Sequence, residues 1–225
     1  MTAPIHPPDA PAMTVGHAHV ADLEACLDLI NSVELTDGVP EEHLPTVQDA
    51  IAYFTTRNLA HDGPLRAQAS VRPAAWLARV REARAALREV WDAAVEGRTV
   101  REGAVDTLND VLAHAPRQTL RSTLAGVAVD HRHEDDVLAE ALARVAEPLV
   151  AAIADGDTGR FRICANDGCR WVFEDTSRGG RRRWCDMSSC GNRAKVRRFR
   201  SKRRGADETG TTESGATESG PAGGS

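Results

Sequence analysis

Four cysteines, Cys164, Cys169, Cys185 and Cys190, follow C-x4-C-x15-C-x4-C and constrain this chain more than any other feature. Two close pairs divided by a short excursion suit a tetrahedral four-thiolate zinc site: each pair turns its sulfurs inward, and the excursion brings the pairs together. The x4 spacing is wider than the common x2, so spacing alone leaves reduced core thiols or redox pairs open, although no C-x-x-C is present. The surrounding segment is too basic and too poor in apolar residues to build a core unaided, and a bound metal would supply the missing folding free energy. One structural Zn2+ is therefore expected. Four thiolates leave no open position for a catalytic water, and no histidine follows His133 to act as a nuclease base.

Charge sharpens this reading. Residues 160–204 hold 15 Lys and Arg against 4 Asp and Glu, a net of +11, whereas residues 1–159 carry −12 and residues 205–225 carry −4. Such asymmetry points to a polyanion-binding module on an acidic carrier; the plainer alternative is that the two segments neutralise each other. Twelve of the 15 bases fall between 178 and 204. Arg181, Arg182 and Arg183 precede the second cysteine pair. After Cys190 a helical pattern sets Ala194, Val196 and Phe199 apart from Arg193, Arg197, Arg200 and Arg204, which share one face at i, i+4, i+7 and i+11. Lys195, Arg198, Lys202 and Arg203 widen that stripe. A solvated face would explain it too, but bases at this density repel one another, and a duplex that releases counterions relieves them. Double-stranded DNA is the expected partner. Asn192 either reads adenine through its amide or braces a turn; Arg193 either contacts DNA or buttresses the metal loop; Gly191 is expected for its backbone freedom. Trp171, Phe173 and Trp184 read as a small core around the metal rather than stacking platforms. That makes an RNA- or ribosome-associated module the weaker alternative.

The rest of the chain reads as helical. Residues 1–20 hold four prolines, lack a basic segment followed by an apolar one, and are expected to be a disordered leader rather than a secretory signal. No run approaches 18 apolar residues, so no membrane contact is expected. Residues 21–34 place Leu23, Cys26, Leu27, Ile30 and Val33 at helical spacing, with Cys26 a small buried residue. DGVPEEHLP reads as a loop, and 46–60 as a helix bearing Val47, Ile51, Phe54 and Leu59. The strongest signal is 73–96, opened by Pro73, closed by Gly97 and striped by Trp76, Val80, Ala83, Leu87, Val90 and Trp91. The two tryptophans are expected in the core rather than around a ligand. Thr99 and Glu102 suggest a capping box for a helix ending near Pro116. Residues 118–130 suggest a short β-hairpin. Residues 134–154 read as a helix with Leu138, Leu142, Val145, Leu149 and Ile153 inward and a kink or division at Pro148, and 155–159 as a linker.

Phe161–Ile163 and Arg170–Phe173 read as strands around the first cysteine pair, with a helix from Ser188 or Ser189. Residues 205–225, with TESGA and TESGP repeats, cannot form a core and are expected to be disordered. His131 and His133 beside Glu134 and Asp135 suggest an exposed loop rather than a metal cluster. The expected fold is thus a mainly α domain over 21–155 and a small four-cysteine zinc finger of β-hairpin and helix over 160–204. No nucleophile–base pair, P-loop or dinucleotide fingerprint is visible, so no catalytic residue is assigned and no enzyme is expected.

Cys190-Gly191-Asn192-Arg193 spells the tetrapeptide of the CGNR zinc finger, and RRWCDMSSCGNRAKV, CANDGC and the Phe173-x-Asp175 step resemble that finger over about 160–203. CLDLINSVE, the Trp76 helix and REVWDAAVEGR are similar to the ABATE domain over about 20–150. The resemblance implies a stress-induced or ligand-responsive bacterial transcription regulator, cytoplasmic and nucleoid-associated. Its helical domain would sense an effector, form a homodimer or contact the transcription machinery.

Overall fold

The computed structural model describes residues 18–36, 38–124, 126–132 and 135–209. Most of the expected leader and tail, and His133 and Glu134, lie outside the described residues. Helix α1 (Ala18–Asn31) hands over to a small antiparallel hairpin, β1 (Val33–Thr36) and β2 (Val39–Glu42), in which Glu34 pairs with Glu41. Val33 is thus in a strand, and half of the expected DGVPEEHLP loop is β2. The reversal is made possible by Gly38 at φ +87°, a left-handed conformation that glycine adopts freely.

Helix α2 (Val47–Thr56) begins where the sequence allows it to: Thr46 accepts from the Asp49 N–H at 3.2 Å, and Asp49 accepts from the Thr46 N–H at 3.0 Å. Leu59 lies beyond this helix, its N–H folded back to the Phe54 carbonyl. Helix α3 (Asp62–Val71) follows, with Pro64 harmless in its first turn. Helix α4 (Pro73–Glu96) has the expected bounds, with Pro73 at its first position and Gly97 at φ +66° past its end. Helix α5 (Glu102–Leu112) starts with Glu102 itself, so Glu102 cannot reach back as the third residue of a Thr99 capping box; the preceding Arg101 makes no side-chain cap. A second hairpin, β3 (Arg117–Thr123) and β4 (Gly126–Arg132), occupies the expected stretch. Helix α6 (Val137–Ala154) is capped by Asp136, which accepts from the Ala139 N–H, and it runs through Pro148 undivided.

Helix α4 is the hub, packing on α1, α2, α3, α5 and α6. Its apolar stripe is buried as expected, and Cys26 is fully enclosed, with burial pushing its thiol up to about 12. Ile153 instead faces solvent, because α6 turns Leu149 and then Ala152 toward the core.

The larger departure concerns 155–159. Gly156, at φ +78°, and a tight turn over Asp157–Arg160 feed the chain directly into a third hairpin, β5 (Phe161–Ile163) and β6 (Val172–Glu174), with Ile163 opposite Val172. Phe161 stacks on Trp91 at 3.9 Å between ring centroids and 11° between planes, and the indole N–H donates to the Arg162 carbonyl at 3.1 Å. Asn31, at the end of α1, donates to the Val172 carbonyl and accepts from the Val172 N–H, both at 2.9 Å. Phe161 and Val172 thereby complete the same core as the helices. A polar, glycine-containing stretch reads as a linker, yet a large aromatic immediately after it must bury, and Trp91 provides the surface.

After β6 the chain returns through Arg181–Arg183 to a single π-helical turn, Met187–Gly191, which opens helix α7 (Asn192–Thr209). None of the helices among the described residues is long and apolar enough to cross a membrane.

Candidate metal centre and basic helix

Two local turns converge the four thiols. In the first, the Cys169 and Arg170 N–H groups both donate to the Asn166 carbonyl, and Arg170 takes φ +51°. In the second, the Asp186 carboxylate accepts from the Ser188 N–H, and the Gly191 N–H donates to the Asp186 carbonyl. That wide i to i+5 loop accounts for the x4 spacing of the second pair: it wraps five residues into one turn. The four Sγ atoms lie within 4.8 Å of one another, and Cys169–Cys185 and Cys185–Cys190 are each 3.7 Å apart.

This geometry fits zinc. Zn–S bonds of about 2.3 Å in a tetrahedron place sulfurs about 3.8 Å apart, well beyond the roughly 2 Å of a disulfide. Burial, with the neighbouring thiols, pushes Cys169 up to about 11 and Cys185 higher still. Burial also acts on Cys190, but the Asn166 amide and the adjacent thiols outweigh it and lower that group. Crowded thiols that resist charging are what a coordinated divalent ion relieves, since it deprotonates them outright. The four cysteines can therefore hold one zinc ion, closed to water and structural in role. Phe173 is buried against the cluster, with Trp171 and Trp184 partly buried there, the small core expected for them.

Two polar residues absent from the sequence-derived site tie the centre to its surroundings. Asn166, buried, donates from Nδ2 to Cys190 Sγ at 3.6 Å and accepts from Arg197 Nη2 at 2.9 Å, so it joins a sulfur to α7. Asp175, fully buried, accepts from the Ser177 N–H and hydroxyl and from the Arg182 N–H at 2.7 Å, which fixes the loop leading to Arg181–Arg183. The Ser177 hydroxyl and these N–H groups hold its carboxyl below the usual range. The F-x-D step was the only sequence sign of Asp175; nothing distinguished Asn166.

The bases divide into two groups. Arg162 donates to the Gly159, Phe161 and Gly180 carbonyls, and Arg170 reaches toward Asp92 and Glu96 on α4. Arg182 turns inward: it donates to the Trp184 carbonyl at 2.9 Å and to the Cys185 carbonyl, and lies 4.7 Å over the Phe173 ring. Arg183 lies over Trp184. Asn192 donates to the Ser188 carbonyl at 2.8 Å, bracing the turn. Gly191 is not at positive φ; a Cβ there would meet the Met187 side chain, which is half exposed and would have to move. Arg193 and Arg197 line an open cleft of about 530 Å³ with Gly38, Asn166, Asp167 and Gly168. Arg181, Lys195, Arg198 and Arg200 are exposed, and the backbone of α7 carries Lys202, Arg203 and Arg204.

Comparison with known proteins agrees with this anatomy. Residues 160–203 match the family model of the CGNR zinc finger, and residues 23–156 match that of ABATE, described as "Putative stress-induced transcription regulator". No curated protein matches the chain. The second match spans more than half the sequence. A helical body whose core is completed by a hairpin, followed by four clustered thiols and a basic helix, thus has its counterpart in a known family: the chain belongs to the ABATE family and carries a CGNR zinc finger directly after that domain.

Proposed function

We propose that this chain is a zinc-dependent, DNA-binding transcriptional regulator of the bacterial cytoplasm, working at the nucleoid and not as an enzyme. Its helical body over 21–155 serves an effector, a second copy or the transcription machinery, and its finger over 160–204 holds the duplex. The observation that carries this reading is the rooting of α7 in the thiolate cluster. Cys190 and the Cys190–Asn166–Arg197 contacts hold the start of a helix whose exposed residues are mostly Lys and Arg. A rigid basic helix suits the major groove. Arg181, Lys195, Arg198 and Arg200 supply phosphate contacts, with Lys202, Arg203 and Arg204 further along the helix. Arg193 and Arg197 work at the cleft, while Asn192 and Arg182 hold the finger together.

Metal analysis should find one zinc per chain, retained in Cys26→Ser and lost in a Cys185→Ser, Cys190→Ser double variant. For duplex DNA, about five to eight phosphate contacts give a log–log salt slope of about −4.5 to −7. Arg200→Ala should weaken binding to every sequence alike and flatten that slope by about one. A slope near zero refutes polyanion binding, and stronger competition by structured RNA than by duplex DNA selects the RNA-associated reading instead.

A further inference from the structure

Helix α7 leaves its largest apolar side chains in water. Val196 is 48% exposed and Phe199 63%. Among the described residues the helix packs substantially only on the π-helical turn that opens it, and neither side chain joins the small core around the thiols. At about 100° and 1.5 Å per residue, the two fall about 60° apart around the helix and about 4.5 Å apart along it. They form one narrow strip, with Asn192 at its foot turned to the Ser188 carbonyl.

The basic residues are arranged around that strip. Arg200 and Arg193 lie about 70° and 90° to one side of its midline, and Lys195 lies about 70° to the other. Arg197 and Arg198 follow, each about 130° away on its own side; Arg197 is drawn back to Asn166 at 2.9 Å. Ala194, half-buried, occupies the rear. No acid falls between Asn192 and Arg204. Over residues 193–200 the front of the helix is thus apolar along its centre and basic along both edges.

Duplex DNA offers the complementary pattern. A helix about 10–12 Å across fills a major groove about 12 Å wide, with phosphates on both walls and base edges on the floor. The apolar group on that floor is the thymine C5 methyl. A spacing of about 4.5 Å along the helix is close to the roughly 3.4 Å between successive base pairs, so the two side chains can reach neighbouring pairs. A second copy of α7 is a poor occupant of the same face, because strip against strip would set arginine against arginine.

We propose that Val196 and Phe199 are specificity-determining residues that pack on the C5 methyls of thymines in adjacent base pairs, while Arg200 and Lys195 engage the two phosphate walls. The inference rests on the DNA-binding reading and adds what the helix selects: base pairs that carry a methyl in the major groove.

The zinc-loaded full chain is titrated, by fluorescence anisotropy, against a short mixed-sequence duplex rich in A·T pairs and against the same duplex with uracil for every thymine. Uracil removes only the C5 methyl, so phosphates, minor groove and hydrogen-bonding edges are kept. Loss of one buried methyl should weaken wild-type binding about fourfold, and loss of two about fifteenfold. Val196→Ala with Phe199→Ala, at exposed positions where alanine suits a helix, should bring the thymine-to-uracil affinity ratio to about one, with zinc content, helicity and salt slope unchanged. Phe199→Leu should keep most of the ratio. Arg200→Ala should do the reverse, flattening the slope and keeping the ratio. A wild-type ratio below about twofold, on a duplex bound with the proposed salt slope, overturns this inference and leaves DNA binding standing. So does a ratio that survives the double alanine variant. A slope near zero on both duplexes instead removes the DNA-binding reading, and this inference with it.

Discussion

Replacing Asn31 by alanine should loosen the finger from a distance of 141 residues in sequence. The Asn31 amide satisfies both the N–H and the C=O of Val172, a residue with no solvent exposure. Removing it strands two buried backbone groups, each at about 1–3 kcal/mol. If the small space admits some water or relaxation, a net loss of about 3 kcal/mol is the expected value, equivalent to roughly 150-fold in an equilibrium constant. The assay pairs urea unfolding followed by far-ultraviolet circular dichroism with the rate of zinc transfer to a chromogenic chelator. Asn31→Ala should lower the unfolding free energy by about that amount and speed zinc transfer by up to two orders of magnitude, since opening β5–β6 exposes Cys164 and Cys169. Asn31→Asp keeps an acceptor for the Val172 N–H but sets a buried carboxylate oxygen against the Val172 carbonyl, so near neutral pH it should destabilise at least as much as Asn31→Ala. Unfolding within about 0.5 kcal/mol of wild type, with unchanged zinc transfer, would refute the clamp, because surface substitutions away from special features give changes of that size.

Glu89 predicts an acid-sensitive body. It accepts from the Arg98 and Arg101 side chains and from the Arg101 N–H, which pull it down to about 2. Its stabilisation is complete above its ordinary value of 4.5 and is lost as pH falls through about 2; Glu89→Gln should flatten the thermal midpoint over that window. Gly97→Ala forces a side chain into φ +66° and should cost about 1 kcal/mol in chemical denaturation. Arg182→Ala should speed zinc transfer several-fold while leaving the DNA salt slope unchanged; a slope that flattened with zinc held normally would mean that Arg182 contacts phosphate instead.

Legibility in the sequence followed the range of the forces involved. Helix α4 could be bounded to the residue because Pro73 and Gly97 act locally, on dihedrals and on the missing proline donor. The metal cluster was equally plain, since four thiols in two close pairs have few other uses in a segment this basic. The β1–β2 hairpin was hidden by its four-residue strands and by Pro40, which reads as loop. Helix α3 had no counterpart in the sequence reading: its ten residues carry only a short apolar stripe, with Leu65 and Ala69 buried, and open on Asp62-Gly63-Pro64, although proline in a first turn is permitted. The roles of Asn166, Asp175 and Arg182 could not be read, because each depends on contacts made only after folding. Arg182 in particular sits between two arginines of the same charge, and only the closeness of Phe173 and the Cys185 carbonyl separates it from them.

The Trp91–Phe161 stack and the Asn31 clamp also bear on how such proteins can be recombined. A finger joined by a flexible tether can be moved between carriers by cutting the tether. Here the cut would fall inside a folded unit: a transplanted β5–β6 hairpin would arrive without its aromatic partner, and the donor body would be left with an uncovered indole and an unpaired amide. A functional chimera would have to carry the end of α1 and the Trp91 turn of α4 along with residues 160–203. Sequence drift at either side of the seam is coupled for the same reason, so substitutions at Asn31 or Trp91 should be tolerated only with matching changes near Phe161 and Val172.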